Sequence, residues 1–265
     1  MATFEVTEPI LPGTAHALAS LLDVPAPEGA LPLLWHWLYL LERPAQADLG
    51  PDGHPVRGTV LAPPGPGRRR MWAGGRVRTP GALRFGEPAT RTSEVLAVRE
   101  KEGRSGPLTF VTVAHRITQA GGLVVDEEQD IVYRAGAALD AHPDDDPEVP
   151  PSPDEWPIEV TPTLLFRFSA LTYNAHRIHY DRDYSRSVEG YPGLLTHGPL
   201  QAVAMAEAAR ARGVEGALEF DYRLVAPLFD HQGLIASAVP GEETATSVRD
   251  RHGRQTATGT LRRMA

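Results

Sequence analysis

Between Phe168 and Asp181 the chain concentrates side chains that can handle protons: Thr172, Tyr173, Asn174, His176, Arg177, His179 and Asp181. Nineteen residues beyond His179, Gly198 and Pro199 open an alanine-rich stretch with a helical look. An imidazole has an unperturbed pKa near ~6.5, so His179 can accept a proton and return it around neutrality. The first turn of a helix leaves backbone N–H groups without intrahelical acceptors. Pro199 fixes that turn without adding a donor, so the N–H of Gly198 is the one placed to meet a developing oxyanion. One such donor is commonly worth ~3 kcal/mol of barrier. A proton acceptor beside an oxyanion donor is the minimum set for chemistry next to a carbonyl.

Each feature has a plainer reading. His179 could be a satisfied core histidine, and Gly198-Pro199 only a helix start. His176, His179 and Asp181 are too loosely spaced to suggest a metal site, and none is expected. The run Arg68-Arg69-Arg70, with Arg76 and Arg78, could grip phosphates or simply lie on the surface.

The elements that must position these residues follow from pattern. Gly13–Asp23 reads as a short helix, and Leu31–Glu42 as a second one, apolar nearly all round. Pro44–Arg70 is loop-like. Strands are expected at Arg70–Thr79, Arg91–Lys101, Pro107–Ile117 and Leu123–Ala135, with a hairpin turn at Glu102–Gly106. The acidic, Pro-rich run His142–Pro153 reads as an extended linker. A strand at Leu164–Ser169 should lead into the polar motif. Helix Pro199–Arg212, stopped by Gly213, should precede strands Ala217–Ala226, Gly233–Ala238, Thr244–Asp250 and Gln255–Arg262, with a turn at Arg251–Gly253. Both halves thus run from helix to antiparallel strands. Arg76-Val77-Arg78-Thr79-Pro80 and Arg223-Leu224-Val225-Ala226-Pro227 echo one another at an offset of 147. Alanines at 202, 204, 206, 208, 209 and 211 would let a sheet curl closely around the second helix. The expected fold is α+β, a double hot-dog in which each half wraps an antiparallel sheet around a central helix. The divisions are 1–140, a linker at 141–157, and 158–265.

Composition narrows the function. A net charge of −8 argues against nucleic acid as a partner. The absence of cysteine removes thiolate catalysis and zinc–thiolate sites. With no apolar run of membrane-spanning length and no secretory leader, no membrane is expected and a cytoplasmic location is. Whether the chain forms a homodimer stays open.

The run Thr172–His179, with His197-Gly198 downstream, resembles the MaoC-type (R-specific hydratase-2) hydratase/dehydratases. It is closest to the double hot-dog subgroup of mesaconyl-C4-CoA hydratases and type 2 hydroxyacyl-thioester dehydratases. The resemblance extends to Leu34–Leu38, Asp52–Pro55, Arg69–Gly75, Glu127–Arg134 and Glu189–Leu194. It implies reversible addition of water to an α,β-unsaturated acyl thioester, with coenzyme A as part of the substrate and no separate cofactor. A short dicarboxylic acyl-CoA such as mesaconyl-C4-CoA is the implied substrate. The alternatives are a 3-hydroxyacyl-ACP dehydratase, a hot-dog thioesterase and an inactive acyl-thioester binder. The implied catalytic residues are His179, Asn174 and Gly198, with Tyr173, His176, Arg177, His197 and Arg76 at the substrate; the first half, His54 included, is expected to be non-catalytic and to supply the groove. The family motif places an aspartate where this chain has Asn174. An amide cannot take a proton, so His179 is expected to be the sole base unless Asp181 substitutes.

Overall fold

The computed structural model describes residues 3–57, 59–61, 68–103, 106–135 and 146–264. The first half contributes β1 (Thr3–Pro9), α1 (Pro12–Leu22), β2 (Arg68–Arg78), β3 (Pro88–Gly103), β4 (Gly106–Gln119) and β5 (Gly122–Ala135). The second contributes β6 (Glu155–Ile158), α2 (Pro162–Leu171), α3 (Arg182–Ser187), α4 (Gly198–Arg210), β7 (Leu218–Leu224), β8 (Leu234–Val239), β9 (Thr244–Arg249) and β10 (Gln255–Arg263). All ten strands join one antiparallel sheet in the order β1-β3-β4-β5-β2-β7-β10-β9-β8-β6. Reading outward from the centre, each half places its strands in the same sequence. That repetition, with α4 held against β8, β9 and β10, is the double hot-dog.

The halves meet where β2 pairs with β7, from Gly74 opposite Arg223 to Arg78 opposite Glu219. The sequence echo therefore falls on the two strands of the seam. Gly75 and Tyr222, separated by the same 147 positions, face each other across it. Helix α4 is buried along nearly its whole length, from Leu200 to Ala209. Its alanines leave room for the sheet to close over it, which is why a weakly amphipathic segment is a stable helix here.

Two expected elements differ. Leu31–Glu42 is not an α-helix; among these residues only Trp35–Leu38 form a 3-10 turn, with Leu34 and Leu40 at positive φ. A segment apolar on every side carries no helical period to hold, and here its polar side chains find partners far away in the chain. Trp35 Nε1 donates to Glu207 Oε1 at 2.9 Å, Trp37 Nε1 to Glu127 Oε1 at 2.8 Å and Tyr39 Oη to the Leu11 carbonyl at 2.7 Å. Among the described residues the first half thus has no counterpart of α4. Residues Leu164–Ser169 are not a strand but the body of α2. Thr161 caps that helix by accepting from the Leu164 N–H at 3.1 Å, and Pro162 stands in its first turn. The residues buried are Leu165, Phe168 and Ser169, a helical spacing that was present in the sequence.

Residues 136–145 of the linker region, and 104 and 105 of the first hairpin turn, lie outside the described residues. The later linker is extended and tied down: the Val149 N–H donates to the Arg251 carbonyl at 2.7 Å, and Arg249 pairs with Glu155 at 2.6 Å. Among the described residues no helix is long and apolar enough to cross a membrane.

Candidate active site

The polar motif lies between α2 and α3, with its turns fixed by backbone bonds. After α2 the chain reverses through Tyr173, at φ 51°, and the Asn174 N–H returns to the Ser169 carbonyl at 2.8 Å. Asn174 Oδ1 then accepts the His176 N–H at 3.0 Å, and a 3-10 turn at Arg177–His179 presents the second imidazole. The segment Leu194–Thr196 runs alongside. The Leu195 N–H donates to the Ile178 carbonyl at 3.0 Å, and the Leu195 carbonyl accepts from His179 Nδ1 at 2.7 Å. A carbonyl can only accept, so this bond fixes the tautomer: Nδ1 carries the proton and Nε2 keeps its lone pair.

A cavity of about 1060 Å³ opens beside the motif, lined from both halves. His176, His179, His197, Asn174, Tyr173 and Gly198 all contribute to its wall. The histidine rings are packed against one another. His179 stacks on His197 with centroids 3.7 Å apart at 18°, and His176 meets His179 edge-on at 5.5 Å. His197 Nε2 is 2.8 Å from Ser169 Oγ, while its buried Nδ1 has no hydrogen-bond partner. Burial pushes His179 down to about 4, against the opposing effect of the Leu195 carbonyl. Burial and the neighbouring rings hold His176 and His197 well below the ordinary imidazole range. All three are neutral at neutral pH and available as acceptors, not as stored acids.

Gly198 begins α4, and helix geometry leaves its N–H free for an outside acceptor. The room left by its missing Cβ is used internally: a Cβ there would lie 2.2 Å from Leu224 Cδ1. That atom ends a flexible side chain, so a substitution here would ask Leu224 to shift its rotamer rather than the backbone to move.

Other sequence candidates lie elsewhere. Arg177 is off the cavity wall, with Asp181 at 2.8 Å, the Pro51 carbonyl at 3.0 Å and the Tyr184 ring beneath it. Asp181 caps α3 through the Tyr184 N–H at 3.0 Å and is committed to Arg177, so it does not stand in for the family aspartate. Arg76 is also off the wall, on the exposed side of β2, paired with Glu128 at 2.8 Å and Asp130 at 2.9 Å. The run Arg68–Arg70 is largely internal. Arg68 reaches Thr109 at 2.6 Å, Arg69 pairs with Glu189 at 2.8 Å, and Arg70 faces the cavity.

The structure adds residues that pattern alone had not placed. The loop Asp52-Gly53-His54-Pro55 of the first half docks on the motif of the second. The Arg177 N–H donates to the Asp52 carbonyl at 2.9 Å, and the His54 ring lies 3.8 Å from that of His176. Gly53 makes the approach possible: it sits at φ +87°, and a Cβ would fall 1.8 Å from the Ala175 carbonyl oxygen. Two half-buried cations, Arg70 and Arg91, also reach the wall.

A hot-dog sheet, a neutral imidazole with a free Nε2, and a helix N-terminus on one cavity define a hydratase or dehydratase of acyl thioesters. The model of the hydroxyacyl-thioester dehydratase type 2 family matches residues 34–230, and the chain belongs to that family. It is an enzyme of the hydro-lyase class. A mesaconyl-C(4)-CoA hydratase of Chloroflexus aurantiacus is 49% identical over 224 residues, covering 82% of this chain and 79% of that protein. A mitochondrial hydroxyacyl-thioester dehydratase type 2 of Schizosaccharomyces pombe is 38% identical over 82 residues, 30% of this chain and 27% of the relative. Among solved structures, HtdX of Mycobacterium tuberculosis superposes with a TM-score of 0.73 at 15% identity, over 99% of this chain and 100% of its own. A MaoC-like dehydratase of Phytophthora capsici gives 0.68 at 15% identity, covering 99% and 95%.

Proposed function

We propose that the chain hydrates a short dicarboxylic enoyl-CoA of the mesaconyl-C4 kind, with His179 as base, Asn174 holding the water and Gly198 as oxyanion donor. His176, His197 and Tyr173 line the acyl site around them. On this reading residues 1–140 supply a substrate groove, 141–157 connect, and 158–265 carry the hydratase motif and the rest of the cavity wall. His179 Nε2 draws on the water as its oxygen bonds to the β-carbon. The π pair moves toward the thioester oxygen, where the Gly198 N–H and the positive end of α4 receive it, and the enolate collapses as the proton taken from the water is delivered to the α-carbon.

The observation that carries the substrate class is the charge on the cavity wall. Its lining has three guanidinium groups, Arg70, Arg91 and Arg134, against one carboxylate, Glu42. Arg91 stands 3.6 Å from Glu42, yet its buried Nε and Nη2 make no hydrogen bond. A half-buried cation with unused donors favours a carboxylate, which a guanidinium can hold with paired bonds. A mesaconyl-C4 thioester carries its free carboxylate on the β-carbon, within the acyl site, whereas the phosphates of coenzyme A belong nearer the mouth. The 49% identity to a mesaconyl-C(4)-CoA hydratase supports the same reading.

The test compares kcat/KM on mesaconyl-C4-CoA and crotonyl-CoA, following loss of enoyl absorbance together with free thiol. Wild type should lose absorbance without releasing thiol and prefer the carboxylated substrate. Arg91→Met and Arg70→Met should each lower that preference by about tenfold or more, the value of one charge-assisted contact. Preference unchanged in both variants would remove these arginines as partners of the carboxylate, and a wild type that prefers crotonyl-CoA would exclude a dicarboxylic acyl group. Thiol release would mark a thioesterase.

Asn174 gives a second expectation at the same site. Asn174→Asp keeps an acceptor for the His176 N–H and should stay within about tenfold of wild type. Asn174→Ala loses that bond and should fall further, by about 10²-fold. Equal rates for the two variants in the same assay would remove Asn174 from the reaction.

A further inference from the structure

The family motif has a carboxylate where this chain has Asn174, and the second half offers no replacement, since Asp181 is spent on Arg177 and α3. The first half does offer one. His54 Nδ1 donates to Asp52 Oδ2 at 3.1 Å, and the His54 N–H donates to Asp52 Oδ1 at 2.9 Å. With its proton fixed on Nδ1, His54 presents a bare Nε2, as His179 does. The ligand-type atoms of Asp52, His54 and His176 all lie within 4.8 Å of one another. His54 itself lines the catalytic cavity. Docking of this loop is built in by Gly53 and by two bonds from Arg177, through its N–H to Asp52 and its guanidinium to Pro51.

We infer that the Asp52–His54 pair, supplied across the half-to-half interface in place of the carboxylate missing at position 174, takes the proton of the water, which leaves His179 to hold and orient that water instead of acting as its base. This rests on the proposed hydratase site. The water lies between two imidazoles. His179 Nε2 accepts one hydrogen as a hydrogen bond and orients the lone pair toward the β-carbon. His54 Nε2 takes the other as a proton while the oxygen–carbon bond forms and the π pair moves onto the α-carbon and thioester oxygen. The His54 imidazolium, balanced by the Asp52 carboxylate, then returns that proton to the α-carbon. Hydrogen and hydroxyl both come from one water, and the enzyme ends in its starting state.

The chemistry explains why a paired histidine is needed. His179 has only a backbone carbonyl on Nδ1, and the rings of His197 and His176 pack against it, so nothing nearby balances a positive charge. The groups facing His54 are Asp52 in its own loop, Arg70 on β2, and His176 and His179 on the motif. Burial lowers its pKa and Arg70 lowers it further, while Asp52 raises it. The rate requires neutral His54, so kcat/KM should rise through its pKa and level off above it. Removing Asp52 lowers that pKa and should move the acidic limb to lower pH.

The test uses the full-length enzyme with crotonyl-CoA and mesaconyl-C4-CoA over a pH series, with thermal unfolding as a check on folding. His54→Asn should lose about 10²-fold in plateau kcat/KM. Asp52→Asn should lose roughly tenfold or more and shift its acidic limb downward, which a purely structural role would not do. His54→Asn within threefold of wild type, or Asp52→Asn with a lower plateau and an unmoved limb, would overturn the proposal. So would a stoichiometric divalent metal in the wild-type protein that His54→Asn lacks. His179→Ala as fast as wild type would instead bring down the underlying site, and this proposal with it.

Discussion

Replacing His179 by alanine is expected to lower kcat/KM for hydration by about 10³-fold, with little change in stability. The free nitrogen of this imidazole is fixed by structure: Nδ1 is held by the Leu195 carbonyl at 2.7 Å, and Nε2 is the nitrogen left free. Its low pKa, about 4, means that it is already a neutral acceptor throughout the range of ordinary assays. The alanine enzyme keeps the Gly198 N–H and the cavity, so binding should survive while chemistry fails. A loss in kcat larger than any rise in KM is the expected pattern. If KM rose and kcat stayed, His179 would be a binding residue. His54 should not rescue the variant, because a water no longer oriented at the β-carbon gains nothing from a second acceptor.

The second large effect concerns folding. Glu127 on β5 is buried, 1% exposed, and holds three side chains of two elements. His36 Nε2 lies 2.9 Å from its Oε2, and Trp37 Nε1 and Gln129 Nε2 each donate to Oε1 at 2.8 Å. Burial alone would raise this carboxyl, but His36 foremost, then His115 and Gln129, hold it at about 2. Glu127→Ala should cost ~3–5 kcal/mol by stranding those partners, read as a lower urea midpoint. Glu127→Gln keeps the shape and should cost ~1–3 kcal/mol. The pH sign follows from a folded pKa below the unfolded one. The stabilisation is complete above the unfolded carboxyl value near ~4.3 and is lost as pH falls from there toward about 2. Acid unfolding should therefore begin at higher pH in wild type than in a variant already lacking this carboxylate, after correction for its lower starting stability.

These two residues mark how differently fold and site can be read from sequence. Strands β2 to β5 and β7 to β10 were legible because alternation and turn residues set their type locally, and the small side chains of α4 announced a helix enclosed by sheet; β1 and β6, short strands at the two ends of the sheet, were not read, and β6 starts within the segment expected to be linker. Leu31–Glu42 misled because its contacts are all distant: Trp35 answers to Glu207, and His36 and Trp37 to Glu127. Uniform hydrophobicity says that a segment is buried and nothing about its backbone. Leu164–Ser169 misled for the opposite reason, since Thr161-Pro162 and the spacing Leu165, Phe168, Ser169 carried a helix signal that a short apolar run obscured.

At the site, spacing marks out the pieces contiguous in sequence, from Asn174 through His179 and from His197 to Gly198. It could not show that Arg76 and Arg177 are tied into ion pairs away from the cavity, because charge alone does not reveal a partner. Nor could it bring in Asp52 and His54, which stand well over one hundred residues from the motif they touch. Only the glycine at 53, between two residues able to share a proton, hinted at a close backbone approach.

In the proposed mechanism an enoyl thioester lies with its carbonyl on α4 and its β-carbon over His179. The most direct test is a crystal structure of the His179→Ala enzyme, slow enough to hold its substrate, with crotonyl-CoA or mesaconyl-C4-CoA bound. The thioester oxygen should lie about 3 Å from the Gly198 N–H, with the double bond facing the space left by the imidazole. A thioester bound elsewhere in the cavity, with Gly198 untouched and the β-carbon remote from position 179, would contradict it.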